Sequence, residues 1–137
     1  MNTEKARWKY RFDNYKQAFC LLKEASKKEQ SGTIDQLGKE GMIQRFEYCM
    51  ELAWKTVKDY LESQNVVFKQ LTPRAVLKEA IAAKLITQGS LWMQALDDRN
   101  RMSHTYNLKD FEQVIATINQ HYLNCFSELY ETLSAEF

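Results

Sequence analysis

Glycine and proline are scarce in this sequence, with four glycines and one proline among 137 residues. In an average protein these two residue types together make up about 12% of the chain, roughly three times as much. Folds built from many short strands need a turn residue about every ten positions, and this chain cannot supply them. The sequence therefore predicts long helices with few joints, and it argues against a β-sandwich, a β-barrel or a glycine-rich nucleotide-binding sheet.

Apolar residues recur at spacings of three and four, the period of an amphipathic helix. The first such ladder lies within Trp8–Leu22, and its helix is expected to stop at Ser31-Gly32. The second ladder lies within Ile43–Leu61, in a helix expected to start at about residue 34 or 40 and to end at Ser63. Neither segment alternates as a strand would. Both predict long helices.

Three further helices are expected in the second half of the chain. A short one starts at Thr72-Pro73, where threonine can cap the helix and proline suits its first position, and it closes at Gln88-Gly89. The fourth opens at Ser90 and the fifth near Lys109-Asp110. Five helices with short connections favour an all-α, antiparallel up-and-down bundle of four long helices and one short helix, in a single domain over 1–137.

Charge and composition narrow the possible ligands. The net charge is +1, which does not favour binding of duplex DNA or an anionic membrane. No apolar stretch suits a membrane span, so we expect a cytoplasmic protein.

The cysteines Cys20, Cys49 and Cys125 lie in apolar helical patterns and are interpreted as buried free thiols. Because His104 and His121 have no partner at metal-ligand spacing, we expect this chain to hold no metal and no cofactor.

Basic and aromatic residues alternate near the start of the sequence, from Lys5 to Phe12. This composition is found where single-stranded nucleic acid is stacked and neutralised. An ordinary amphipathic helix, with Trp8 and Phe12 pointing inward and the cations outward, explains the same pattern and is the interpretation we favour.

A second polar stripe lies beside the apolar ladder of the second helix. Glu47, Glu51 and Trp54 are spaced by four and three and so share one side of the helix. Glu51 could pair with Lys55 on a solvated face. Alternatively, Glu47 or Glu51 faces a polar groove and holds an arginine from another helix.

The densest polar cluster covers residues 97–107. In a continuous helix Asn100 and His104 would stack on one face, whereas Arg99 and His104 would be about 140° apart. Arg99 and His104 could then meet one ligand only across a groove edge, or if the helix ends near Ser103, where the residues are mediocre helix formers. One interpretation is a polar helix end with an incidental histidine. The other is metal-free RNA cleavage, with histidine deprotonating a 2′-hydroxyl and arginine stabilising the phosphate, and with a second copy supplying the acid.

Residues 98–107 resemble the Arg-x4-His-x-Tyr signature of the HEPN superfamily. Gln44–Lys55, Pro73-Arg74, Trp92 and the final helix resemble the branch called nucleotidyltransferase substrate-binding proteins. The match covers essentially the whole chain. It implies a five-helix HEPN bundle that is usually a homodimer and that works with a separately encoded minimal nucleotidyltransferase.

The resemblance also implies roles for individual residues. In toxin–antitoxin pairs of this type the HEPN chain is a ribonuclease, which would make Arg99 and His104 the catalytic pair and Asn100 a polar or phosphate-binding neighbour. The nucleotidyltransferase, using ATP and Mg, would transfer AMP to Tyr106. The stripe on the second helix, and not the resemblance, makes Glu47 and Glu51 candidates for support of the groove. The alternative is a non-catalytic subunit that binds a nucleotide or other substrate for its nucleotidyltransferase.

Overall fold

The computed structural model describes residues 6–137, and over this range it is entirely helical, with no strand. Its elements are α1 (Arg7–Gln30), α2 (Gln36–Ser63), α3 (Pro73–Ala82), α4 (Gly89–Met102), α5 (Leu108–Thr117), a π-helical turn (Ile118–Tyr122) and α6 (Leu123–Ser134). The last three follow one another without a break and form one long C-terminal helix. The predicted all-α bundle of four long helices and one short helix is therefore confirmed for the described residues.

The long helices α1 and α2 pack side by side along most of their length. Trp8 and Phe12 are 5% and 4% exposed, which confirms the amphipathic interpretation of this segment; Lys5 lies outside the described residues. Tyr15 is fully buried, and its hydroxyl donates a hydrogen bond of 2.7 Å to the carbonyl of Phe126. Burying each large apolar side chain contributes about 1.5–3 kcal/mol, so this seam holds α1, α2 and α6 together.

Side-chain caps start three of the helices. The Asp35 carboxylate accepts from the Gly38 backbone amide at 2.9 Å, at the start of α2. Thr72 caps α3, with Pro73 in its first turn, as the sequence predicts. Asn107 caps α5 in the same way. Each cap satisfies a backbone N–H that has no partner within its own helix.

The short helix ends earlier than its sequence indicates. Its last residue is Ala82, and Lys84 adopts a left-handed conformation with φ of 60°, so the ladder predicted to reach 88–89 is interrupted. Gly89 begins the next helix instead of closing this one. A Cβ at Gly89 would lie 2.8 Å from the terminal methyl of Ile81, so the Ile81 side chain would have to shift to accommodate a larger residue there.

The cysteines differ in their surroundings. Cys20 is exposed, so its predicted burial is wrong: it lies on α1 about 100° around the axis from Phe19 and thus outside the apolar stripe. Cys49 and Cys125 are buried free thiols, as expected. Burial raises the pKa of Cys49, and burial with the charge of Glu128 raises the pKa of Cys125 to about 11, so both are protonated at neutral pH. Within residues 6–137 no helix is both long and apolar enough to cross a bilayer.

The π-helical turn joins the C-terminal helix to two others. Asn119 accepts a hydrogen bond from Ser26 and donates one of 2.7 Å to Glu29, both on α1. Tyr122 donates to the Asp98 carboxylate on α4. A π turn places its side chains differently from the regular 3.6-residue pattern, and such turns are frequent at functional sites. Here the turn anchors α4 one residue before the arginine of the predicted site.

Candidate functional site

The last turn of α4 faces the middle of α2, and the contact between them is an ion pair. Arg99 Nη2 donates to Glu51 Oε2 at 3.0 Å, and each side chain is 31% exposed. Lys55 Nζ lies 3.2 Å from the other oxygen of Glu51. The two interpretations of Glu51 therefore both hold, since it pairs with Lys55 on its own helix and holds an arginine from another.

The electrostatic state of Glu51 follows from these neighbours. Partial burial acts to raise the pKa of its carboxyl, but hydrogen bonds from Trp54 and Lys55 and the charges of Arg99 and Lys55 outweigh it and lower the pKa below its ordinary value. Glu51 is thus ionised at neutral pH. It fixes one edge of the Arg99 guanidinium and leaves the other edge to other partners.

Neighbouring polar groups complete the surroundings of Arg99. Its Nη1 donates to Asn100 Oδ1 at 3.2 Å, and its buried Nε–H has no hydrogen-bond partner among the described residues. The Glu47 carboxylate accepts a hydrogen bond of 3.1 Å from the Ser103 hydroxyl. The same hydroxyl lies 3.1 Å from the backbone carbonyl of Arg99. Glu47 therefore binds the end of α4 and not an arginine.

The helix ends where the polar cluster predicts an ending. Residue Met102 is the last of α4, and α5 begins at Leu108 after Asn107. In the connecting loop the Thr105 hydroxyl accepts from the backbone amide of Asn107 at 3.3 Å and lies 3.4 Å from the Asp110 carboxylate. Polar side chains therefore shape a turn that contains neither glycine nor proline.

The loop exposes the two remaining predicted site residues. His104 is exposed, and its imidazole has no hydrogen-bond partner among residues 6–137. Tyr106 is 92% exposed. The structure thus brings Arg99 and Asn100 together with Glu51, while His104 and Tyr106 lie on the turn that follows, open to a ligand or a partner.

Asp98, Ser103 and Tyr122 support the site, and sequence reasoning did not identify them as doing so. Tyr122 donates to Asp98 Oδ2, and Arg101 lies 3.4 Å from Asp98 Oδ1. Burial and this hydrogen bond raise the pKa of Tyr122 far above its ordinary value, so it remains a donor. In the sequence Tyr122 is one more residue of an apolar ladder. Only its contact with Asp98 on α4 shows that this buried residue also supports the site.

A cavity of about 370 Å³ opens beside Arg99, and its lining residues are Gln44, Glu47, Tyr48, Glu51 and Arg99. A guanidinium held on one edge can present its other donors to phosphate oxygens. An exposed imidazole can accept or donate a proton near neutral pH. Within 6–137 no three His, Cys, Asp or Glu side chains are grouped to hold a metal ion, and the absence of a resident metal stays a prediction.

Relatives of known structure share this fold. A Haemophilus influenzae protein whose fold is described as a substrate-binding domain of a nucleotidyltransferase superposes with a TM-score of 0.77, at 27% identity over 90% of this chain and 98% of that one. A chain of a mutant MntA–HepT toxin–antitoxin complex superposes with a TM-score of 0.72, at 17% identity over 93% and 98%, and shows likeness of fold alone.

Sequence comparison points the same way. A probable ribonuclease HepT from Haemophilus influenzae is 33% identical over 82 residues, which are 58% of this chain and 56% of that protein. The matched part thus spans just over half the length of that relative. The family described as nucleotidyltransferase substrate binding protein like matches residues 10–135, nearly the whole chain. This chain therefore belongs to the family described as nucleotidyltransferase substrate binding protein like.

Proposed function

We propose that this chain is the HEPN-type component of a two-gene system of toxin–antitoxin type and acts as a metal-independent endoribonuclease in the cytoplasm. One observation carries the proposal. Helix α4 ends at Met102, so the exposed His104 lies in the turn that follows the helix, while Glu51 holds Arg99 in the last turn of the helix. Similarity to a probable ribonuclease supports the same activity.

The chemistry assigned to these residues is an intramolecular transesterification at a phosphodiester of the RNA. His104 accepts the proton of a 2′-hydroxyl, the oxygen attacks the adjacent phosphorus, and Arg99 stabilises the negative charge on the phosphate oxygens. Asn100 is placed beside Arg99 for a further phosphate contact. The leaving 5′-oxygen takes a proton from a second His104, supplied by another copy in a homodimer. The products are a 2′,3′-cyclic phosphate and a 5′-hydroxyl.

Regulation by a minimal nucleotidyltransferase is the second part of the proposal. The Tyr106 hydroxyl, 92% exposed on the loop, attacks the α-phosphorus of ATP held with Mg by the partner, and pyrophosphate leaves. The attached AMP adds negative charge and bulk to the loop that also carries His104. RNA phosphate would then be repelled from the site, in addition to the effect of complex formation.

Cleavage is tested with purified homogeneous protein in EDTA and a single-stranded RNA. Arg99→Ala and His104→Ala should each lower the rate by about 10²- to 10⁴-fold, because a positioned charge or general base is lost. His121→Ala replaces the other exposed histidine and should leave the rate unchanged. Equal cleavage by all four proteins would mean a contaminating nuclease and would refute the assignment.

Modification is tested by co-expression with the nucleotidyltransferase encoded beside it, followed by intact-mass measurement and peptide mapping. AMP increments should appear on Tyr106 and disappear in Tyr106→Phe. They should persist in Tyr10→Phe, which alters an exposed tyrosine on α1. Increments that persist in Tyr106→Phe would remove the modification site from the proposal.

A non-catalytic subunit that presents a nucleotide to the nucleotidyltransferase is the second candidate function. It is favoured by the family match over residues 10–135 and by the binding of Arg99 to Glu51, which suits holding an anion as well as cleaving one. In that case RNA stays intact at every protein concentration, whereas nucleotide binding is measurable by calorimetry and is lost in Arg99→Ala.

A further inference from the structure

A groove of about 510 Å³ runs between α1 and α2, next to the cavity that holds Arg99. Its walls are mostly apolar and include Leu21 of α1 and Tyr48 of α2. These two side chains are 46% and 60% exposed, among the most exposed large apolar residues of the described chain. An aromatic ring opposite an aliphatic side chain forms a slot for a flat, apolar-faced ligand.

The groove and the Arg99 cavity are adjacent and share part of one wall. Tyr48 and Glu51 line both of them, and they are three residues apart on the same side of α2. Glu51 in turn accepts from Arg99 at 3.0 Å. A ligand with a phosphate at Arg99 can therefore extend directly past Tyr48.

Two cations lie at the ends of the groove. Arg45 Nη1 donates to the Leu21 carbonyl at 2.8 Å, and Lys55 Nζ lies 3.2 Å from Glu51, so contacts hold both side chains in place. Arg45 is 37% and Lys55 is 36% exposed, which leaves both charges accessible. Ten helical residues span about 15 Å, so cations flank the ring of Tyr48 on both sides.

Hydrogen-bonding groups stand on the opposite wall. Asn14 and Gln17 of α1 both line the groove and are exposed, and neither side chain is hydrogen-bonded to another described residue. An amide offers both a donor and an acceptor, which suits the edge of a nucleobase. Aromatic stacking, flanking cations and free amides together fit a nucleotide better than a purely apolar protein segment.

We propose that the α1/α2 groove binds the base of a nucleotide next to the phosphate at Arg99, within single-stranded RNA. Tyr48 stacks on the base, Gln17 contacts its edge, and Arg45 and Lys55 contact the flanking phosphates. This subsite rests on the proposed ribonuclease function, for which it supplies the recognition of the substrate strand.

The test measures binding without cleavage, using a fluorescein-labelled single-stranded oligonucleotide that is 2′-O-methylated at every position. Tyr48→Ala should weaken binding by about 5- to 100-fold, the range expected for loss of one stacked base. Tyr48→Phe keeps the ring and should bind like the unaltered protein. Tyr10→Ala removes a similarly exposed tyrosine outside the groove and should also bind normally.

Two outcomes overturn the subsite: no binding of the oligonucleotide, or equal affinity for Tyr48→Ala and the unaltered protein. If equal affinity is accompanied by an altered sedimentation mass of Tyr48→Ala, the groove is an interface between protein chains. Because the probe cannot be cleaved, the two proposals fail separately. Ring-dependent binding without any RNA cleavage keeps the subsite and removes the ribonuclease, whereas cleavage with ring-independent binding does the reverse.

Discussion

Two carboxylates on α2, about two helical turns apart, bind cations from other helices in very different surroundings. The Asp59 side chain is only 1% exposed, and it is surrounded by Arg11 at 3.0 Å, Lys58 at 3.1 Å and Arg7 at 3.8 Å. Glu51 is 31% exposed and meets Arg99 and Lys55 beside an open cavity. The first cluster is closed around its carboxylate, whereas the second presents its cations to solvent.

The difference shows which ion pair serves the fold and which serves a ligand. A buried carboxylate that loses its partners is left as an uncompensated charge, which is strongly destabilising. The cations around Asp59 are therefore not free to leave it for a ligand. An exposed pair is worth about 0–1 kcal/mol, so Arg99 can turn toward a phosphate at little cost. Stability should therefore depend on Asp59 and ligand binding on Arg99.

The largest effect on stability is expected from Asp59→Ala. Its carboxylate is hydrogen-bonded to Arg11, and such bonds to charged groups contribute about 1.5–3 kcal/mol, so the free energy of unfolding should fall by about 2–3 kcal/mol. Urea denaturation measures this fall, and the cleavage rate per folded molecule should not change.

Glu62→Ala is the matched control for Asp59→Ala, because Glu62 pairs with the same Lys58 but is 42% exposed. It should change the free energy of unfolding by no more than about 0.5 kcal/mol. If the two substitutions have equal effects, burial does not distinguish the two clusters and the comparison fails.

An intermediate effect is expected from Tyr122→Phe, because Asp98, which accepts its hydrogen bond, is 15% exposed. Loss of this hydroxyl should lower the free energy of unfolding by about 1–1.5 kcal/mol, since water and Arg101 can replace part of the contact. Tyr130→Phe is the control: Tyr130 packs on Phe12, and its hydroxyl has no hydrogen-bond partner among residues 6–137. A cost for Tyr122→Phe no greater than for this control would show that Asp98 gains nothing from the π turn.

The sequence predicts the helices well because their signals are local. Apolar spacing, the Thr72 cap and the weak helix formers after Met102 act within one or two turns, so they locate the elements and the end of α4. The partners of Glu51 and Asp59 depend on contacts 48 residues away. No local pattern separates a carboxylate facing solvent from one facing a distant arginine.

Cys20 and the π-helical turn depart from the sequence prediction for different reasons. Cys20 lies about 100° around the α1 axis from its neighbour Phe19, so the helical period itself places it outside the apolar stripe, and the prediction of burial rested on its apolar neighbours alone. The π-helical turn at Ile118–Tyr122 shifts the register inside an otherwise regular ladder, and its partners lie on α1 and α4. The turn therefore depends on packing between helices and not on the local sequence.

Apart from the control variants, the smallest effect on stability is expected from Glu51→Gln. An exposed pair contributes no more than about 1 kcal/mol, and the amide keeps most of the shape, so the free energy of unfolding should fall by less than that. Because the pKa of Glu51 is lowered from its ordinary value of 4.5, this contribution is present above about pH 4.5 and is lost as the pH falls through the folded-state pKa. Urea denaturation of both proteins at about pH 7 and about pH 3.5 measures the difference, which should shrink at the lower pH.

Glu51→Gln should strengthen ligand binding although it slightly lowers the free energy of unfolding. Without the negative charge of Glu51, Arg99 and Lys55 attract phosphate more strongly, so the non-cleavable oligonucleotide should bind a few-fold more tightly to Glu51→Gln. Glu112→Gln removes a carboxylate that is about half exposed and paired with Lys39, away from Arg99 and the groove, and should leave affinity unchanged. A loss of stability as large as that of Asp59→Ala, without a gain in affinity, would place Glu51 with the closed cluster. Arg99 would then serve the fold, and the cavity beside it would not be a phosphate-binding site.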